Sequence, residues 1–370
     1  MLPLTKPRKT KTAHRPSGTT CRRYWCPMSY KKGGKIIQLN EERMMPEQCE
    51  SLIREIYELA DHRDIGKFLQ TGDDDFSFTV KGLSRYRVST YMQRGSLAAV
   101  IRMITFSLPD PSVLGIPEQI IDLGNLKKGL VLVTGPAGSG KSTTLACIIN
   151  AINENQEKHI ITLEDPLEFL HKHKKSIVSQ REISSDTESY VVALRSSLRQ
   201  SPDVILLGEM RDFETMSIAM TAAETGHLVL STLHTLGAAN TIDRIIDVFP
   251  PNQQRQIAIQ LSSVLQAVVS QQLIPSADES GMHAAFELMT ATPAIRNMIR
   301  ENKIPQIDGL VYSSSSDTMF SMDSSIQTLC RTGQITKEEA LAHAVNSEML
   351  KRKLLYSHDH PLSGWHVLPL

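Results

Sequence analysis

The octapeptide Gly135-Pro136-Ala137-Gly138-Ser139-Gly140-Lys141-Ser142 constrains this chain more than any other stretch. It fits the phosphate-loop pattern G-x-x-x-x-G-K-[ST] without a mismatch. Glycine admits positive φ, so successive N–H groups can curl around phosphate oxygens. Lys141 would place a point charge on the β- and γ-phosphates, and the Ser142 hydroxyl would hold Mg²⁺. ATP and Mg²⁺ are the expected ligands, with contacts over Gly135, Pro136, Ala137, Gly138, Ser139, Gly140, Lys141, Ser142 and Thr143. A chance match occurs roughly once per hundred chains of this length, so the flanks must decide. Residues 129–134 (Gly-Leu-Val-Leu-Val-Thr) read as a buried parallel strand, and residues 143–152 as a helix with an apolar face. Strand, loop, helix is the order the motif requires.

Apolar runs that read as buried strands alternate with helical stretches from Pro117 onward. The strand candidates are Leu130–Val133, His159–Leu163, Val204–Leu207 and His227–Leu233. That alternation predicts an α/β fold with a parallel sheet and a ligand at the strands' C-terminal ends. After Pro275 the pattern becomes helical, over 292–300, 324–332 and 336–350, the last opened by a capping box at Thr336 and Glu339. Before Pro117 lies a small α+β region. It has two amphipathic helices between Met45 and Leu69, strands at 76–80 and 86–91 joined through Lys81-Gly82, and a helix over 96–106. The expected boundaries are a basic, disordered arm at 1–35, a small domain at 36–106, a proline-bearing linker at 107–117, the main domain at 118–355 and a loose tail at 356–370.

A phosphate loop needs acids on neighbouring strands. Residues 203–209 (Asp-Val-Ile-Leu-Leu-Gly-Glu) form an apolar strand ending in Glu209, which would order the Mg²⁺ shell. The metal set is therefore Ser142 and Glu209. Glu164 ends another strand, just before Asp165-Pro166, and would accept a proton from the attacking water or orient it. Its plain alternative is a loop carboxylate. His227 and His234 bracket the next strand. Each is either structural or a γ-phosphate contact, and His234, at the C-terminal end, points toward the phosphate. The phosphate loop brings no arginine of its own. Arg85, Arg87, Arg94 and Arg102 lie in the small domain and would reach a nucleotide only if that domain folds over one, as in a ring of subunits.

Composition narrows the class. The chain has 370 residues, 41% hydrophobic and 22% charged, with zero net charge, which suits a two-domain globular protein. It contains no apolar run of ~18 residues and no secretory h-region, so a cytoplasmic location is expected, without a transmembrane span. Five scattered cysteines without a C-x-x-C pair exclude a four-cysteine zinc module. Ten Lys/Arg precede the first acid, Glu41, and read as a solvated arm, with nucleic acid or anionic lipid as the alternative partner. The main domain has no basic-aromatic surface, so no nucleic-acid partner is expected.

Several ordered motifs together resemble the secretion ATPases. Residues 134–144 resemble their Walker A, 162–169 their Asp box, 206–212 their Walker B, and 221–235 their His box. Residues 294–301 (Ala-Ile-Arg-Asn-Met-Ile-Arg-Glu) resemble the mark of the PilT family, the twitching-motility branch that retracts type IV pili. The resemblance covers about residues 36–350. It implies a RecA-like P-loop ATPase domain with a helical C-terminal part, a small PAS-like N-terminal domain, and a homo-hexameric ring. It also implies an inner-membrane pilus platform protein as partner and a place at the inner face of the cytoplasmic membrane. By the same resemblance Arg87, Arg94 and Arg102 would lend charge to the nucleotide, with Glu164 as catalytic base and Glu209 as the Walker B acid. The alternatives are a pilus-assembly or type II secretion ATPase and a non-catalytic nucleotide-binding ring. Residues 1–30 match nothing at the family's usual opening.

Overall fold

A computed structural model describes residues 19–22, 27–32, 35–80, 83–104, 108–314, 316 and 318–356. The chain separates into two compact units, Met1–Ser107 and Leu108–Leu370. The first contains β1 Thr19–Arg22, β2 Ser29–Lys32, β3 Lys35–Gln38, α1 Pro46–Leu59, α2 Gly66–Thr71, β4 Asp73–Val80, β5 Ser84–Gln93 and β6 Ser96–Ile104. Its described strands form one antiparallel sheet in the order β3-β2-β1-β6-β5-β4. Helix α1 opens on Pro46, whose missing N–H costs nothing in a first turn. Its Ile53, Ile56 and Tyr57 recur at helical spacing and bury against Phe68, Phe76, Val88, Leu97 and Ala99.

Two expectations fail in this unit. The stretch 96–104, expected as helix, is strand β6. Arg94 and Gly95 both have positive φ (51° and 76°), the two-residue turn that matches strand twist, and it folds β5 back with Gln93 opposite Ser96. Pairing with β5 on one side and β1 on the other then satisfies the β6 backbone, overriding a run with no clear period. The arm at 1–35, expected without regular structure, contributes β1, β2 and the start of β3. Strands this short show no readable alternation and take their structure from their neighbours. Residues 1–18, the Lys81-Gly82 turn and the tail beyond Tyr356 lie outside the described residues.

The second unit contains α3 Glu118–Ile121, β7 Gly129–Thr134, α4 Lys141–Asn155, β8 His159–Glu164, β9 Ile177–Glu182, α5 Tyr190–Ser197, β10 Val204–Leu207, α6 Phe213–Glu224 and β11 Leu228–Leu233. There follow α7 Ala238–Asp247, α8 Pro251–Val264, β12 Leu265–Pro275, β13 Met282–Thr290, α9 Pro293–Arg300, α10 Gln306–Ser313, α11 Met322–Arg331, α12 Lys337–His343 and α13 Ser347–Tyr356. The sheet order is β13-β12-β7-β11-β10-β8-β9, parallel throughout except for the antiparallel edge strand β13. Leu130, Leu132, Ile161, Leu163, Ile205 and Leu207 bury on one face, and Val131, Val133, Ile160, Val204 and Leu206 on the other. Each such side chain contributes roughly 1.5–3 kcal/mol on burial, which explains why these strands read as continuous apolar runs.

Strands β9, β12 and β13 escape the sequence pattern because polar residues interrupt them. The helix expected over 336–350 is two, α12 and α13. They part where Asp323 accepts from Val345 N (2.7 Å) and Asn346 N (2.9 Å). Thr336 caps α12 by accepting from Glu339 N at 3.2 Å. In α9, Ile295 and Ile299 are fully buried, and Arg296 donates to Ser262 O (2.7 Å) and Ser263 O (3.1 Å) in the last turn of α8. No described helix is long and apolar enough to cross a membrane.

Candidate active site

Strand β7 ends at Thr134 and helix α4 begins at Lys141, with the glycine loop between them. Gly135 has φ +142°, and a Cβ there would stand 2.2 Å from the Gln271 carbonyl oxygen, so only glycine fits. Gly140, at φ +88°, turns the chain into α4. The first N–H groups of that helix lack intrahelical partners and favour an anion. The Lys141 ammonium is buried and donates to Gly135 O and Pro136 O, both at 2.9 Å. Burial draws its pKa below the usual lysine range, against the opposing charges of Glu209 and Glu168. The Ser139 hydroxyl is buried without a hydrogen-bond partner. An unsatisfied buried hydroxyl is costly, and a phosphate oxygen in the loop would satisfy it. The residues present therefore fit a nucleotide's phosphates.

The acids stand on adjacent strands. Leu163 pairs with Leu207 across β8 and β10, so Glu164 and Glu209 leave the sheet side by side at its C-terminal edge. Gly208 N donates to Leu163 O at 2.8 Å, locking the two strand ends. Glu164 is half-buried, with Gln180 Nε2 3.5 Å from Oε1. Burial pushes its pKa up to about 7, with the charge of Glu168 adding. The Asp165–Pro166 peptide that follows is cis.

The Glu209 side chain is 13% exposed and pairs with Arg211 Nη2 at 2.5 Å. His234 Nε2 lies 3.6 Å from Glu209 Oε2, and its Nδ1 lies 3.5 Å from Lys141 Nζ. The imidazole therefore stands between the loop lysine and the strand-end carboxylate. This suits the tautomer with its proton on Nε2. A cavity of about 420 Å³ adjoins this group, lined by Glu209, Arg211, Thr235 and Arg244 among others.

Lys141, Glu209 and His234 thus come together, with Glu164 beside Glu209. His227 does not join them. It precedes β11 at the sheet's opposite edge, ~20 Å of strand from His234 at about 3.3 Å per residue. Its Nδ1 lies 2.9 Å from Ala222 O and 3.3 Å from Thr225 Oγ1, at the end of α6. The structure therefore sets His227 apart from the group around Lys141. The expectation that His234, at the strand's C-terminal end, faces the phosphate loop agrees with its place beside Lys141. Arg87, Arg94 and Arg102 belong to the first unit. Arg87 and Arg102 are register partners on β5 and β6, and Arg94 occupies the turn between those strands. The described residues contain no group of three or more His, Cys, Asp or Glu able to hold a metal. Ser142 and Glu209 are hard oxygen donors, and together with phosphate oxygens that chemistry fits Mg²⁺.

Sequence reasoning missed two supports. Gln271 of β12 accepts from Thr144 Oγ1 at 2.7 Å, while its carbonyl presses on Gly135. Its one signal was a polar run, Ser270-Gln271-Gln272, inside an apolar stretch. Tyr190, at the start of α5, sets its hydroxyl 2.8 Å from where a Gly208 Cβ would stand. Burial and the charges of Asp165, Glu209 and Glu164 hold its pKa well above the usual tyrosine range, so it stays protonated.

A parallel sheet with a glycine loop, a buried lysine and strand-end carboxylates at one edge defines an α/β ATPase fold. The family model described as Type II/IV secretion system protein matches residues 53–341, and the chain belongs to that family. It is 44% identical over 327 residues to a twitching motility protein of Neisseria gonorrhoeae, covering 88% of this chain and 86% of that one. It is also 44% identical over 314 residues to the type IV pilus retraction ATPase PilT of Pseudomonas aeruginosa, covering 85% and 90%. A solved structure of the pilus retraction motor PilT with bound ADP superposes with TM-score 0.84 at 43% identity, covering 91% of this chain and 95% of that one. The resemblance to the pilus-retraction branch, read from the motifs, is borne out.

Proposed function

We propose that this protein is an ATP-hydrolysing motor that drives type IV pilus retraction as a homo-hexameric ring. The observation that carries the reading is likeness at 44% identity, over 85–88% of the chain, to a twitching motility protein and to a pilus retraction ATPase. The site geometry agrees with it. The second unit acts as the RecA-like P-loop domain and the first as the PAS-like domain. The loop 135–143 takes the triphosphate on main-chain amides, with Lys141 leaving its carbonyl partners for the β- and γ-phosphates. Ser142, and Glu209 through water, would hold Mg²⁺, which would supply charge neutralisation to the phosphates. Glu164 takes the proton of the attacking water, and its raised pKa suits a base working near neutral pH. His234 senses the terminal phosphate from between Lys141 and Glu209. Arg87, Arg94 and Arg102 lend charge from the small domain, of the same subunit or a neighbour. Contacts that differ between ATP and ADP states shift the domain equilibrium, and the ring turns that shift into pulling on a pilus platform protein at the inner face of the cytoplasmic membrane.

The test is threefold: Mg²⁺-dependent ATPase activity of the purified chain, its molecular mass in solution, and restored twitching in a strain lacking its retraction ATPase. Turnover, a six-subunit mass and restored motility are expected. ATP binding without turnover would mean a non-catalytic ring. Turnover without restored motility would point to another secretion or assembly machine.

A further inference from the structure

Strand β12 carries three buried polar side chains in a row, Ser270, Gln271 and Gln272. The grip and the cleavage described above leave Ser270 without a role, yet its hydroxyl is tied at both ends. Gly237 N donates to Ser270 Oγ at 3.0 Å, and Ser270 Oγ lies 2.8 Å from Thr134 Oγ1. Thr134 Oγ1 in turn lies 3.4 Å from Val269 O. Each hydroxyl has a single hydrogen to donate. Were Thr134 to donate to Ser270, the Ser270 hydrogen would have no acceptor among the described residues. The arrangement that satisfies both runs one way: Gly237 N–H to Ser270, Ser270 O–H to Thr134, Thr134 O–H to Val269 O.

Two members of this chain adjoin the site. Thr134 is the residue before Gly135, at the foot of the phosphate loop. Gly237 follows His234 by three residues and caps α7. The next amide, Ala238 N, is held by Glu287 Oε1 at 3.0 Å. Thr241 Oγ1 reaches both Gly237 O (2.8 Å) and Thr235 Oγ1 (2.7 Å). The segment Thr235–Ala238 is therefore pinned to α7, and Ser270 joins it to the loop's foot. Removing one link of such a buried chain leaves the others unsatisfied.

We propose that Ser270 is a positioning residue for turnover, coupling the segment that follows His234 to the phosphate loop so that His234 is held between Lys141 and Glu209. The inference rests on the role given to His234 in the proposed function. Ser270 is fully buried, so it acts through that histidine rather than on the nucleotide. A misplacement of about 1 Å can cost roughly 100-fold in rate, so a single link has leverage.

The experiment compares purified Ser270→Ala, His234→Ala and the double variant for kcat, KM and ATP affinity. Ser270→Ala should lower kcat about tenfold while KM and affinity stay within about twofold. On top of His234→Ala it should add no more than about twofold. Thr134→Val removes the next link with little change of shape and should give the same split between kcat and KM. Thermal melting of each variant reports whether it is folded, and Thr134→Val carries the test if Ser270→Ala is not. Unchanged kcat in both Ser270→Ala and Thr134→Val overturns the proposal. So does weakened ATP binding with kcat intact, or a full tenfold loss repeated in the His234→Ala background. Full turnover in His234→Ala alone would instead sink the role given to that histidine.

Discussion

The phosphate loop and the strand-end acids occupy one edge of one sheet but are built from different material. The loop is contiguous, and its conformation is set by glycine geometry and by the backbone of β12 pressing on Gly135. Lys141 is buried and held by carbonyls of the loop itself. Glu164, Glu209 and His234 come from separate strands, and the contacts at Glu164 and His234 are longer, 3.5 Å and 3.5–3.6 Å, while Glu209 pairs closely with Arg211. On the proposed reading, binding rests on a local unit and turnover on side chains whose placement and protonation respond to their surroundings.

Three measurements test that contrast, the largest effect first. Lys141→Ala should remove the grip: nucleotide titration should show affinity weakened about 100-fold or more, and turnover undetectable. Retained binding would show that the amides alone suffice and would erase the division. Glu164→Gln should do the reverse, keeping ATP bound while turnover falls by about 10² or more. In the unaltered chain, kcat should rise with pH through about 7 as Glu164 loses its proton, and the variant should lack that limb. The same shift has a stability sign. A carboxyl raised from 4.5 to about 7 favours the folded state below its ordinary range, and that contribution is lost as pH rises through 7. Turnover and stability should therefore move in opposite directions across this window. The smallest effect belongs to His227→Ala, which should leave kcat unchanged and cost about 1 kcal/mol in denaturant unfolding, for the bond to Ala222 O. A large loss of turnover there would return His227 to the site.

Legibility follows the same division. Gly135–Ser142 and the strand and helix around it could be read directly, because every element of that unit is adjacent in sequence. Glu164 and Glu209 were readable as strand-end acids, since an apolar run announces each strand. Of the two histidines, the strand rule singled out His234, since a parallel α/β sheet presents its C-terminal ends to the ligand, but it left the role of His227 open. Ser270 and Gln271 were invisible for a related reason. Their work depends on β12 lying beside β7, a pairing between residues about 135 positions apart. In the first unit, β6 departs from the helix its own pattern suggests because its pairing with β5 and β1 decides its conformation.

The register that sets Arg87 opposite Arg102 has a thermodynamic consequence. Residues directly opposite on neighbouring strands point to the same side, about 5 Å apart, and two like charges so placed oppose pairing. Neither guanidinium has an anionic partner among the described residues. Folding the small unit therefore does electrostatic work that a polyanion arriving at that face would cancel. Occupancy and folding are then linked through one equilibrium, so the affinity of this face for an anion and the melting temperature of the unit must rise together.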